Sequence, residues 1–283
     1  MTRIDASSAN LPSAGLSPAD LESLAATAAS LARSVGGVIA SLRQVGVDVA
    51  DTKSSINDVV TAADREAERL IAEGLRIARP DDGILGEEGA SVTGTTGITW
   101  VVDPIDGTRA FAKGKPHFVI SVALVEEGRP ILGVLFNPAM DEFFEASKGG
   151  GAFLNGSPIH VSHTATIEGC KMAAFAPMFK HPAWPEPWPE MEIIERNSVA
   201  YRIALVACGA ADAALALNGK SDWDLAAADI IVREAGGRIT THDGSALLYN
   251  RHSTRHPSLL AAGPALYEAI FAKVGTIRLQ ASR

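Results

Sequence analysis

The chain reads as an α+β half followed by an α/β half, and three patterns carry that reading. Residues 100–161 alternate and turn like antiparallel sheet, residues 171–274 alternate strand runs with helical ones, and two helical patterns precede both. A chain of 283 residues is long enough for one large domain or two closely packed ones. The change of pattern divides it into 16–165 and 166–283, after a small, polar segment at 1–15 that predicts a disordered arm.

Ser17-Pro18-Ala19-Asp20 supplies an N-cap with proline at the first helical position, and Leu21, Leu24, Leu31 and Val35 give this helix, to about residue 42, an apolar side. A second helix follows Thr61, with Leu70, Ile71 and Leu75 on its apolar side. Strands are predicted at 118–125, 131–136 and 142–146; Glu127-Gly128-Arg129-Pro130 turns between the first two, and Leu154-Asn155-Gly156 is a hairpin turn. In the second half the expected strands are 171–176, 212–217, 238–241 and 259–262, and the expected helices 201–207, 225–234 and 265–274. Recurrent proline excludes regular structure at 182–189. That stretch, with Trp184 and Trp188, is either a packed surface loop or a rim facing substrate or a dimer partner.

A net charge of -8 argues against a general nucleic-acid footprint, which needs a basic stripe. No run approaches the ~18 apolar residues of a membrane span, and no basic-then-apolar leader opens the chain, so no stable membrane insertion and a cytoplasmic location are expected. Cys170 and Cys208 have no paired spacing and receive no chemistry. The histidines, His160, His163, His252 and His256 among them, show no metal-ligand spacing.

The chemistry concentrates where an apolar strand runs into Asp103-Pro104-Ile105-Asp106-Gly107-Thr108. Hard divalent cations take carboxylate and carbonyl oxygens, and the two aspartates bracket a turn whose backbone carbonyl can join them. Gly107 lets the chain turn so that backbone N–H groups and the Thr108 hydroxyl face a phosphate oxygen. Upstream, Gly86-Glu87-Glu88 follows a short apolar run and offers Glu87 as a third ligand. Downstream, Asp222-Trp223-Asp224 opens a helix, where an acid also has an ordinary role beside the macrodipole. A fourth segment, from Lys53 to Asp64, leads into the second helix.

In combination and in this order, these segments resemble the inositol monophosphatase superfamily of metal-dependent, lithium-sensitive phosphomonoesterases, over residues 50–265. The resemblance implies a layered αβαβα sandwich, a homodimer and two or three Mg²⁺ ions. It assigns Glu87, Asp103, Asp106, Asp224 and the Ile105 carbonyl as metal ligands, Gly107 and Thr108 to phosphate, and Lys53 as a base on a loop beside the metals. Thr108 with Asp64 would orient the attacking water, and Glu87 would take its proton. The chemical logic stands beside the family likeness: a phosphate monoester repels hydroxide, so hydrolysis needs positive charge on its oxygens and an acidified water.

The substrate is expected to be a small phosphorylated molecule, and its choice to be written just before Trp223. Inositol monophosphatases carry an acid seven residues before the Trp-Asp aspartate; this chain has Leu217 there. Bacterial 3'(2'),5'-bisphosphate nucleotidases, the branch it resembles most, carry a basic residue earlier, where Arg202 stands beside Ala200, with Lys220 as a second cation. A guanidinium at that point can fork onto a second phosphate. Two departures weigh against the likeness: the serine-rich approach is replaced by Ser198-Val199-Ala200-Tyr201, and Ala216 replaces an arginine. The expected activity is therefore bisphosphate nucleotidase, with inositol-1-monophosphatase or another small-ester phosphatase as the alternative. A regulatory binding protein keeping the fold is the alternative of another class. The spacing of Asp103 and Asp106 differs from the Asp-x-Asp of haloacid-dehalogenase-type phosphatases.

Overall fold

The computed structural model describes residues 15–45, 49–52, 59–182 and 184–279. Lys53 and the expected arm, apart from Gly15, lie outside the described residues. In chain order the elements are α1 (Pro18–Val45), β1 (Val49–Thr52), β2 (Val59–Thr61), α2 (Ala62–Ala78), β3 (Gly83–Gly86), β4 (Ser91–Val92), β5 (Ile98–Asp106), α3 (Thr108–Ala112), β6 (Val119–Glu126), β7 (Arg129–Asn137), β8 (Glu142–Ser147), β9 (Gly151–Leu154) and β10 (Ser157–Pro158). The second half adds β11 (Lys171–Ala173), a 3₁₀ helix (Ala176–Lys180), β12 (Glu192–Ile194), α4 (Val199–Ala207), β13 (Ala213–Ala216), β14 (Lys220–Ser221), α5 (Asp222–Glu234), β15 (Arg238–Thr240), β16 (Arg255–His256), β17 (Leu259–Ala262) and α6 (Pro264–Val274).

Strands β3–β10 form one sheet in the order β10-β9-β8-β7-β6-β5-β3-β4. It is antiparallel throughout except for the β3–β5 pair. Asn155 and Gly156 both take positive φ, 49° and 76°, as a two-residue hairpin turn requires. A second sheet, β12-β11-β13-β17-β15, is parallel across its first three strands and antiparallel around β17.

Five layers result. Helices α1 and α2 cover one face of the large sheet, α4 and α5 fill the space between the sheets, and α6 closes the outer face of the smaller one. The layered sandwich is thus present, and it explains why β6 reads Val-Ile-Ser-Val-Ala-Leu-Val with little polar alternation: both of its faces are buried. Val101 and Ala123 join the core shared with α4 and α5, while Trp100, Val102, Ile120 and Val122 join the core under α1 and α2. Helix α5 lies so close to β7 that a Cβ on Gly133 would sit 2.5 Å from the Ala227 carbonyl oxygen.

Ser17 caps α1 as expected, its Oγ accepting the Asp20 N–H at 3.2 Å while the Asp20 carboxylate accepts the Ser17 N–H at 2.8 Å. Over Pro18–Leu42, α1 is long and apolar enough by length and composition to cross a membrane, although polar and charged residues interrupt every apolar run in it. Its Leu24, Ala28, Ala32, Val35 and Ile39 stripe packs on α2 and the sheet. The 182–189 stretch is irregular where described, and Trp184 and Trp188 pack edge-on at 5.0 Å beneath the 3₁₀ helix, with Trp184 Nε1 donating to the Met178 carbonyl at 2.7 Å.

Candidate active site

Residues three apart on a regular strand face opposite sides of a sheet. Asp103 and Asp106 escape that rule because β5 bulges between them: Asp103 pairs with Ser121 and Asp106 with Val119, three steps against two. Pro104, which has no N–H to lose, stands in the bulge. The Asp103 carboxylate accepts the Ile105 N–H at 3.0 Å, closing a local turn. With Asp224 from the start of α5, the two aspartates form a group whose nearest oxygens all lie within 4.8 Å of one another.

Each carboxylate is held by the backbone or by a hydroxyl. Asp106 Oδ2 accepts the Ser198 hydroxyl and the Ala200 N–H, both at 2.6 Å. Asp224 Oδ2 accepts the Ser221 N–H at 2.8 Å, in a capping box that fixes the first turn of α5. That turn is anchored further by Asp222, which takes His256 Nε2 at 2.8 Å and the Asn250 N–H at 2.6 Å. Ser121 Oγ donates to the Trp223 carbonyl at 3.2 Å, so the large sheet and α5 are tied at the cluster itself.

Three close, largely buried carboxylates repel one another. Burial first, then Glu87, Asp106, Asp224 and Asp64, hold Asp103 well above the usual carboxylate range. Asp106 is pushed up to about 7 by burial and by Asp224, against the pull of its Ser198 and Ala200 donors. The donor set fits a hard divalent cation, with Asp103, Asp106, Asp224 and the nearby Glu87 to hold it. Such a cation supplies charge to neutralise phosphate oxygens and acidifies a bound water.

These shifts predict a proton-linked site. A cation binds the ionised carboxylates, so its affinity rises with pH through about 7, and a proton leaves as it enters. Calorimetric Mg²⁺ titrations near pH ~6.5 in two buffers of different ionisation enthalpy will differ by the released proton; identical heats would reject the shift. For the fold the sign is opposite. A carboxyl titrating higher folded than unfolded (about 3.9) loses stability as pH rises between those values. Metal-free wild type will therefore lose melting temperature relative to Asp106→Asn over that window.

Asp64 and Thr108 meet as expected. Thr108 Oγ1 lies 3.5 Å from Asp64 Oδ1 and donates to the Ile105 carbonyl at 3.0 Å. Gly107, with φ 100°, caps α3, and a Cβ there would come 2.9 Å from the His117 carbonyl oxygen and 3.1 Å from Ser198 Cβ. The site needs glycine twice over, for the turn and for the close approach.

A cleft of about 1080 Å³ opens at the cluster, lined by Glu87, Thr108 and Asp224 together with Phe175, Arg196, Arg202, Lys220 and Arg255. Burial lowers the pKa of Lys220, whose Nζ donates to Asn218 Oδ1 at 3.1 Å, and likewise that of Arg202. Arg202 is thus no exposed helix arginine. Ala200 departs from its expected place among the substrate contacts: it is fully buried, away from the cleft lining, and contributes the backbone N–H that holds Asp106.

Sequence patterning alone did not single out Glu68. One turn beyond Asp64 on α2, it accepts the Glu88 and Ala90 N–H groups, each at 2.7 Å, and so fixes the loop carrying Glu87. The i, i+4 spacing of two acids on one helix was the available signal.

The profile of the Inositol monophosphatase family matches residues 20–278. The chain belongs to the inositol monophosphatase family. It is 33% identical over 252 residues to the Nus factor SuhB of Pasteurella multocida, covering 86% of this chain and 92% of that one. To the inositol-1-monophosphatase of Rhizobium meliloti it is 39% identical over 196 residues, 66% of this chain and 73% of that one. Among solved structures, an IMPase from Thermotoga maritima matches with a TM-score of 0.78 at 33% identity, covering 89% of this chain and 96% of that one. As a member of this family the protein is a phosphoric monoester hydrolase; the family is metal-dependent, and the acidic cluster has the donors to hold a metal ion.

Proposed function

We propose that this member of the family is a Mg²⁺-dependent phosphomonoesterase acting on a small ester with a second anionic group, a 3'(2'),5'-bisphosphate nucleotidase that takes 3'-phosphoadenosine 5'-phosphate to AMP and phosphate. The observation that carries the reading is a pair of guanidinium groups, Arg196 and Arg202, which line the cleft with their Nε atoms buried and unpartnered. Guanidinium groups on a cleft wall form charge-assisted hydrogen bonds with an anionic group of the ligand. Lys220 and Arg255 add positive charge to the same wall, and Leu217 stands where an inositol enzyme would place an acid.

The reacting phosphate sits against the cation site, with Gly107 and Thr108 at its oxygens. Thr108 and Asp64 orient the water and Glu87 accepts its proton, so no covalent intermediate on the protein is needed. A second reading, hydrolysis of inositol 1-phosphate, draws support from the likeness to the Rhizobium meliloti inositol-1-monophosphatase.

Arg202→Ala separates the two. Losing one charge-assisted hydrogen-bond pair costs about 1.5–3 kcal/mol, roughly tenfold to a hundredfold in kcat/KM on the bisphosphate. The loss on inositol 1-phosphate will be much smaller. Equal losses on both esters would make Arg202 structural, and a wild-type preference for inositol 1-phosphate would favour the second reading.

A further inference from the structure

Strands β12, β11 and β13 run parallel, so their carboxyl ends open on one edge of the small sheet, the usual ligand edge of such sheets. The segments leaving those ends enter the cleft together: Glu195, Arg196 and Asn197 after β12, Phe175 and Met178 after β11, Leu217 and Asn218 after β13. Phe175 is 65% exposed, one of few large apolar side chains so placed among the described residues.

Its backbone is held firmly. The next residue, Ala176, donates its N–H to Glu195 Oε1 at 2.9 Å, Pro177 stiffens the start of the 3₁₀ helix, and Trp184, Trp188 and Phe179 pack beneath. An aromatic ring displayed on a rigid support, beside Met178 and Leu217 and in one cleft with Arg109, Arg196, Arg202, Lys220 and Arg255, matches a ligand that is both planar and anionic. A polyol offers only a patchy C–H face, a smaller contact than the continuous π face of a base.

We propose that Phe175 is a specificity-determining residue that stacks on a nucleobase, so that the cleft takes nucleotides in preference to polyol phosphates. The inference rests on the reading of this cleft as a phosphomonoesterase site, but not on its second anion. Four esters separate the two ideas: adenosine 3',5'-bisphosphate and adenosine 2'-monophosphate carry the base, while fructose 1,6-bisphosphate and inositol 1-phosphate lack it. Phe175→Ala will lower the kcat/KM ratio of base-bearing over base-free esters roughly tenfold, mostly through KM, and Phe175→Trp will restore it. Calorimetric binding of adenosine 2'-monophosphate reads the same contact without turnover.

Equal losses on all four esters, or no loss of nucleotide binding in Phe175→Ala, would overturn the proposal. A base effect without any advantage of bisphosphates over monophosphates would uphold it and sink the second-anion reading. The reverse result would do the opposite.

Discussion

Asp103→Asn will abolish phosphate release, by a factor on the order of 10³ or more, in a protein that still folds. The carboxylate sits in the bulge of β5 among Asp106, Asp224, Glu87 and Asp64, and its removal takes away both a ligand and the charge that draws the cation. The same charge is a burden on the metal-free fold, since burial and like neighbours push Asp103 far above its ordinary range. The variant will therefore melt at or above the wild-type temperature without Mg²⁺ and gain less from adding it. Thermal melts with and without Mg²⁺, beside a phosphate-release assay, read both effects. Near-normal turnover at saturating Mg²⁺ would reject Asp103 as a ligand.

Thr108→Ala is the second large effect. Its hydroxyl lies between the Ile105 carbonyl and Asp64, where Gly107 turns the chain to deliver it. A group that orients the nucleophile acts in the transition state, so kcat will fall roughly 10²–10⁴-fold while KM changes little. Thr108→Ser, which keeps the hydroxyl, will recover most of the rate. A change confined to KM would assign Thr108 to substrate binding instead.

The acids of the candidate site were legible because each stands in a short segment of unusual composition: two aspartates around a proline, paired glutamates after a strand, acids at a helix start. The helices and central strands were legible from periodicity, and Asn155-Gly156 from turn chemistry. What periodicity cannot convey is which elements cover a face. The nearly unbroken apolar run of β6 says that both of its faces are covered but not by what, and the apolar stripe of α1 does not name the α2 and sheet residues it packs against. The supports of the site were hidden for another reason. Glu68, Ser198 and His256 act through contacts with residues 20, 92 and 34 positions away, respectively. Phe175 and Arg196 converge with Arg202 only because β11 and β12 run parallel. Ala200 escapes a side-chain reading because its contribution is a backbone N–H, which no side-chain pattern records.

The division of labour between β5 and the strand ends of the small sheet bears on how such proteins diversify. The acidic cluster is assembled from the β5 bulge and the first turn of α5, beside the Glu87 loop; the proposed recognition groups come from three segments that leave β11, β12 and β13. Selection can rewrite those loops, in length and in chemistry, without disturbing the apparatus that cleaves the ester, and a protein engineer can graft them from one relative to another. The exception is the pair of 2.6 Å bonds from Ser198 and Ala200 to Asp106, since these come from the segment just beyond the β12 loop. A transplanted β12 loop that displaced Ser198 would disturb the chemistry along with the specificity. That hydroxyl therefore marks where a loop exchange has to stop.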